Sequence, residues 1–167
     1  VRVSPVPGAC AAIAALSVAG LPSDRFSFEG FLPAKASGRR ECLARLAGEP
    51  RTLVFYESAH RIVESLADCR AAFGDARPAV LARELTKLFE TVLDGSLAAL
   101  QARVEADANQ RKGEFVLIVQ GAGDDADAQL AEGRRVYATL SAHLPPSTAA
   151  KLAAEITGAP RKALYGG

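Results

Sequence analysis

The sequence has no methionine, no tryptophan and only three cysteines in 167 residues. Cys10, Cys42 and Cys69 are odd in number and far apart, with no CxxC spacing. That argues against a zinc site or a disulfide framework and favours a reducing, cytoplasmic setting. An excess of one charge is missing too. The 20 Lys and Arg against 19 Asp and Glu leave a formal +1, so any contact with RNA has to come from a local basic patch. No apolar run reaches the roughly 18 residues of a membrane span, and no basic-then-apolar leader opens the chain. A GxGxxG turn, a Walker loop and a Ser-His-Asp elbow are all absent. His60 and His143 lie in different parts of the chain, which leaves a metal site little to build with.

What is present is apolar: 49% of residues are hydrophobic, enough for a sizeable core. Val1 to Val6 is β-branched and stops at a Pro-Gly break, the pattern of a strand. A chain that starts in mid-strand without Met is expected to be a piece of a longer protein. A helix is expected over Ala9 to Ala19, closed by Gly20, then a short aromatic strand over Phe26 to Phe31. Ser37 is expected to cap a basic helix reaching Ala47. Thr52 to Tyr56 is continuously apolar, as in a strand covered on both faces. His60 to Phe73 has helical spacing. Strands follow at Ala79 to Ala82, Phe89 to Leu93 and Phe115 to Val119, with a helix capped by Ser96 before the last of them.

This alternation predicts an α/β domain with a mixed sheet over residues 1–121. Residues 122–128 lie in an acidic linker, and 129–167 form an all-helical tail. In the tail, Pro145-Pro146 separates a first helix from a second that Ser147 should cap. Gly158 ends the second, and Pro160 opens a short third helix ending at Tyr165. The last two with their Gly turn resemble a helix-turn-helix; a plain helical tail packing on a partner fits the same pattern.

In open α/β sheets ligands sit outside the carboxyl ends of strands. Three clusters stand there: PGACAA, YESAHR and RELTK, the last two placing opposite charges side by side just past apolar strands. RKGEFVLIV puts Gly113 and Glu114 at the start of a strand, where a plain structural role suffices. The small residues of Pro7 to Ala12 let backbone approach a ligand, let a helix lie close on a sheet, or do both.

PGACAAIAALSVAGLPSDRFSFEGFLPAK, FYESAHRI, LARELTKLFET and KGEFVLIV occur in this order, and on them the chain resembles the carboxyl-terminal part of the ribosomal RNA methyltransferases of the tetrapyrrole methylase superfamily. The resemblance spans essentially the whole chain and implies the carboxyl-terminal domain of that fold. It implies S-adenosylmethionine as cofactor and the 2′-hydroxyl of a cytidine in small-subunit ribosomal RNA as acceptor. The family's amino-terminal domain has no counterpart here. The PGxTAA turn falls on Pro7, Gly8, Ala9, Cys10 and Ala11, with Cys10 standing where the pattern has threonine. The other implied cofactor contacts are Glu57, Leu85, Glu114, Phe115 and Val116.

Methyl transfer to a ribose hydroxyl needs an aligned oxygen and somewhere for its proton to go. Glu57 or Glu84 is the expected proton acceptor or orienting group, with Arg61, Arg83 or Lys87 contacting phosphate. Phosphate contacts are expected from Lys35, Arg39, Arg40, His60 and Arg61, and in the tail from Lys151, Arg161 and Lys162. The resemblance also implies a homodimer. Two other functions share these features: methylation of a corrin or porphyrin precursor, and RNA binding without catalysis.

Overall fold

Five strands form one mixed sheet in the order β1-β2-β5-β3-β4: β1 (Phe26–Phe31), β2 (Thr52–Ser58), β3 (Pro78–Arg83), β4 (Thr91–Ser96) and β5 (Glu114–Val119). This computed structural model describes residues 1–123 and 126–164. β1 and β2 are parallel, whereas β5 runs antiparallel to both its neighbours, β2 and β3, and β4 runs antiparallel to β3. The carboxyl ends of β1, β2 and β3 and the amino ends of β4 and β5 therefore share one edge of the sheet. Ser58 pairs with Glu114 there, and Arg83 with both Phe115 and Thr91.

The two-residue period of a strand sends alternate side chains to opposite faces. Leu53, Phe55, Leu81 and Leu117 join one core, under α2 (Ala36–Leu46), α3 (Ile62–Phe73) and α4 (Leu97–Ala106). Val54, Val80, Ala82, Val116 and Ile118 join a second, covered by the single helix α1 (Ala11–Ala19). The face of α1 turned to the sheet is Ala12, Ala15, Leu16 and Ala19. Three alanines in four let a nine-residue helix settle close on the strands. Gly20, left-handed at φ 64°, ends the helix. Where β5 leaves the sheet, Gly121 lies against the backbone before β2. A Cβ placed on it would stand 2.7 Å from the Arg51 carbonyl oxygen and closer still to that of Pro50.

Several expected boundaries move. Val1 to Val6 forms no strand; it is irregular and exposed. A strand exists only through pairing, and Pro5 and Pro7 have no amide to offer. Ser37 does not cap α2. Lys35 holds the extended N-cap backbone and Ser37 sits inside the first turn. Ser96 does cap α4, its hydroxyl accepting the Ala99 amide at 3.2 Å, an interaction that stabilises by about 1 kcal/mol. Phe89 falls outside β4, in a turn closed by Lys87 N–H to Glu84 C=O and Glu90 N–H to Lys87 C=O.

The chain divides into two compact units, Val1–Ala122 and Gly123–Gly167. In the second, α5 (Ala126–Ser141) and α6 (Pro146–Thr157) pack on a 3-10 turn at Arg161–Leu164. Helix α5 begins within the stretch expected to be linker. Pro145, not Ser147, is the N-cap of α6, and Pro146 takes the first helical position, where its missing amide costs nothing. The expected short third helix is the 3-10 turn at Arg161–Leu164, since four residues give room for i→i+3 bonds alone; Tyr165 lies outside the described residues. Among the described residues no helix is long and apolar enough to cross a membrane.

Candidate functional site

At the shared edge of the sheet lies a cavity of about 500 Å³. Ala11 from the start of α1, Phe31 from β1, Tyr56 and Glu57 from β2, Leu85 past β3 and Val116 on β5 are among its walls. Glu114 and Phe115 line it too, so six of the ten expected cofactor residues converge here: Ala11, Glu57, Leu85, Glu114, Phe115 and Val116. The size and the apolar walls with a few polar groups suit a small-molecule site. Pro7, Gly8, Ala9 and Cys10 are exposed and stand outside its walls. The Ile13 and Ala12 amides hold the Cys10 thiol below its usual pKa, without closing a cap hydrogen bond.

The small residues of α1 thus divide their work. Ala12 is buried on the sheet, while Ala11 faces the cavity. Tyr56 joins the two regions. Its hydroxyl accepts the Ala12 amide at 3.2 Å, and its ring packs edge-on against Phe28 and Phe31.

Glu57 is buried and fully engaged. Its carboxylate accepts from the Ser58 amide, the Ser65 hydroxyl and the Arg61 guanidinium, each at 2.7 Å. Arg61 also donates to the Leu32 carbonyl at 3.0 Å. The pair ties the ends of β1 and β2 to the start of α3, which turns the Arg61 donors toward protein rather than phosphate. Sequence spacing could not separate the two roles, because an i,i+4 Glu–Arg pair past a strand serves either.

Glu84 and Thr86 have positive φ, 51° and 64°, an uncommon conformation for residues other than glycine and one that concentrates at functional sites. The Glu84 carboxylate accepts the Glu114 amide at 2.9 Å and the Lys87 ammonium at 3.0 Å. It packs so close to Gly113 that a Cβ there would stand 2.5 Å from its Cγ. Lys87 reaches on to Glu114 at 2.9 Å. The Glu114 amide first, then Lys87, hold the Glu84 carboxyl below the usual carboxylate range. A carboxylate so held is a weak proton acceptor and a good anchor.

The sign of its pH dependence follows. A folded pKa below the unfolded one gives a contribution that is full above the usual carboxyl value of 4.5 and is lost as pH falls through the lowered one. Glu84→Gln should therefore be less stable than wild type in denaturant at neutral pH, and the gap should close in acid. A gap that is independent of pH would mean that the charge of Glu84 contributes nothing.

Of the expected phosphate contacts, Arg39 is turned inward. It is 2% exposed, and its Nε donates to Asp68 at 2.6 Å. The Asp68 and Glu64 carboxylates of α3 draw it into the α2–α3 seam. Arg40 is exposed and pairs with Asp68 at 3.0 Å, while Lys35 and His60 are exposed. In the tail, Lys151 faces Glu155 at 3.8 Å, Arg161 donates to the Ser147 carbonyl at 3.3 Å, and Lys162 is exposed. The wall residue that sequence reasoning left without a ligand role is Gly113, beside the expected Glu114. A strand's beginning reaches the ligand edge only when that strand runs antiparallel, as β5 does.

A family model described as Tetrapyrrole (Corrin/Porphyrin) Methylases matches residues 1–101, and one described as RsmI C-terminal HTH domain matches residues 127–166. Proteins named Ribosomal RNA small subunit methyltransferase I are similar over nearly the whole chain. That of Xylella fastidiosa is 70% identical over 100% of this chain and 61% of its own length. That of Pseudomonas aeruginosa is 58% identical, over 99% and 59%, and that of Escherichia coli O157:H7 is 54% identical, over 99% and 58%. The chain thus spans about three-fifths of the relatives it matches. Among solved structures, the cobalamin biosynthetic enzyme cobalt precorrin-4 methyltransferase CbiF aligns at TM-score 0.53 and 17% identity, covering 69% of this chain and 50% of that one. The methyltransferase CobJ aligns at TM-score 0.51 and 21% identity, covering 70% and 49%. The mixed five-stranded sheet shares the fold of these enzymes, and the chain belongs to the tetrapyrrole (corrin/porphyrin) methylase family.

Proposed function

We propose that this chain is the carboxyl-terminal part of a methyltransferase that uses S-adenosylmethionine to methylate the ribose 2′-hydroxyl of a cytidine in small-subunit ribosomal RNA. The observation that carries the reading is the cavity at the sheet edge, whose walls gather Ala11 of α1, Leu85 past β3 and Val116 of β5. It is apolar enough for an adenosine and a thioether, with Glu57 and Glu114 among its few polar walls. The names of the similar proteins and the tail that matches a helix-turn-helix model favour RNA over a corrin or porphyrin acceptor.

Bound S-adenosylmethionine supplies an electrophilic methyl group on a sulfonium. The chain's own residues bind and orient. Ala11 leaves space at the start of α1, and Tyr56 fixes that helix start to β2. Glu57, through Arg61 and Ser65, holds the end of β2, while Glu84 holds Gly113 and Glu114. Both carboxylates act as orienting groups. The reading includes a homodimer, for which the exposed Ile13 and Val18 of α1 are suited, and a cytoplasmic location, where ribosomal subunits are made.

The test uses the full-length protein, labelled cofactor and small ribosomal subunits from a strain lacking the gene. Transfer of label to a cytidine sugar supports the reading. Transfer to a tetrapyrrole precursor, or to no RNA at all, overturns it.

A further inference from the structure

A second cavity, of about 470 Å³, opens beside the first and shares Gly113 with it. Its walls are Arg83, Glu84, Phe89, Asn109, Lys112 and Gly113. Two features set it apart. Arg83 is 8% exposed, yet its partners are neutral: the Lys112 carbonyl and the Thr91 hydroxyl, each at 3.2 Å. Its Nε is buried with no hydrogen-bond partner among the described residues. The Lys112 ammonium likewise has a neutral partner, the Asn109 side-chain oxygen at 3.2 Å. Among the described residues neither cation has a carboxylate in ion-pair contact. Glu84 feels Arg83 from a distance, but its own contacts go to Lys87 and the Glu114 amide. A nearly buried guanidinium without an anion is costly, and its complement is an anion brought from outside.

The second feature is Phe89, 66% exposed at the rim, with no ring partner among the described residues. The turn at Glu84–Glu90 holds it there, the Thr86 amide donating to the Glu90 carboxylate at 2.6 Å. An aromatic face beside uncompensated cations is the arrangement by which proteins hold one nucleotide of a single strand, with the base stacked and the phosphate paired.

We infer that this cavity is a nucleotide subsite for the RNA strand next to the methyl acceptor, its base stacking on Phe89 and its phosphate meeting Lys112 and the charge of Arg83. The inference rests on the RNA methyltransferase reading and adds where the strand lies.

The test compares full-length wild type with Phe89→Ala, Phe89→Tyr and Lys112→Ala. Three quantities are read: affinity for small subunits lacking the methyl mark, its salt dependence, and affinity for S-adenosylmethionine. Phe89→Ala should weaken subunit binding roughly tenfold, within the range of one lost base stack, and Phe89→Tyr should restore it. Lys112→Ala should flatten the slope of log affinity against log salt by about 0.7. Cofactor affinity should stay at the wild-type value in all three. A wild type that methylates RNA while the Phe89→Ala and Lys112→Ala variants bind subunits unchanged overturns the subsite and leaves the methyltransferase reading standing. So does a Phe89→Ala whose only defect, by sedimentation, is loss of self-association. A wild type that methylates no RNA overturns both.

Discussion

Ala11→Leu in the full-length protein should lose S-adenosylmethionine affinity by roughly a hundredfold while remaining folded. Ala11 lines the cavity at the shared sheet edge from the first turn of α1, and it is exposed. The added carbons would enter the cavity and leave both cores untouched. Forcing bulk into a filled space costs about 1–3 kcal/mol, and each 1.4 kcal/mol is a factor of ten in binding. Leucine is close to alanine in helix propensity, so the denaturation midpoint should barely move. Titration calorimetry beside a urea melt checks both halves. Unchanged affinity would mean that the first turn of α1 is small for packing alone, and that the cofactor lies elsewhere.

Gly121→Ala should destabilise the first unit by about 3 kcal/mol or more. The new methyl group would be driven into the Pro50 and Arg51 carbonyls. These are backbone atoms, held by the Ala122 amide donating to the Glu49 carbonyl at 2.7 Å and by the pairing of β2 that begins at Thr52. A side chain could swing aside, but this wall cannot without unseating β2. A urea midpoint within error of wild type would show that the segment before β2 yields freely.

The elements were largely legible from the chain. Apolar runs such as Thr52–Tyr56 and Phe115–Val119 have no competing pattern, and Ser96 caps α4 as its position before an Ala-Leu stretch predicts. Direction was not legible. Nothing local to KGEFVLIV tells that β5 enters between β2 and β3 in the opposite sense, and that sense decides whether Glu114 faces the ligand edge. The fate of each charge was equally hidden. Arg39 and Arg40 are neighbours on one basic helix, but only the first meets the Asp68 and Glu64 carboxylates at a depth that excludes solvent. The buried Glu57 and the anchored Glu84 look alike as strand-end acids. Their partners, Ser65 and the Glu114 amide, lie 8 and 30 residues away in sequence.

The central place of β5 also governs the order of assembly. As the chain emerges amino end first, β1 with β2, and later β3 with β4, can pair on their own. The two halves cannot join until Glu114–Val119 has left the exit tunnel, because β5 alone bridges β2 and β3. Until then each half presents an unpaired edge of apolar strand, the kind of surface that recruits other nascent chains. Long-range pairing of this kind is slow to form, since loop closure is opposed by entropy before any contact repays it. The strand that builds the ligand edge is thus also the last stitch in the sheet, and a chain stalled before residue 114 is left as two aggregation-prone strand pairs, one parallel and one antiparallel, rather than one domain.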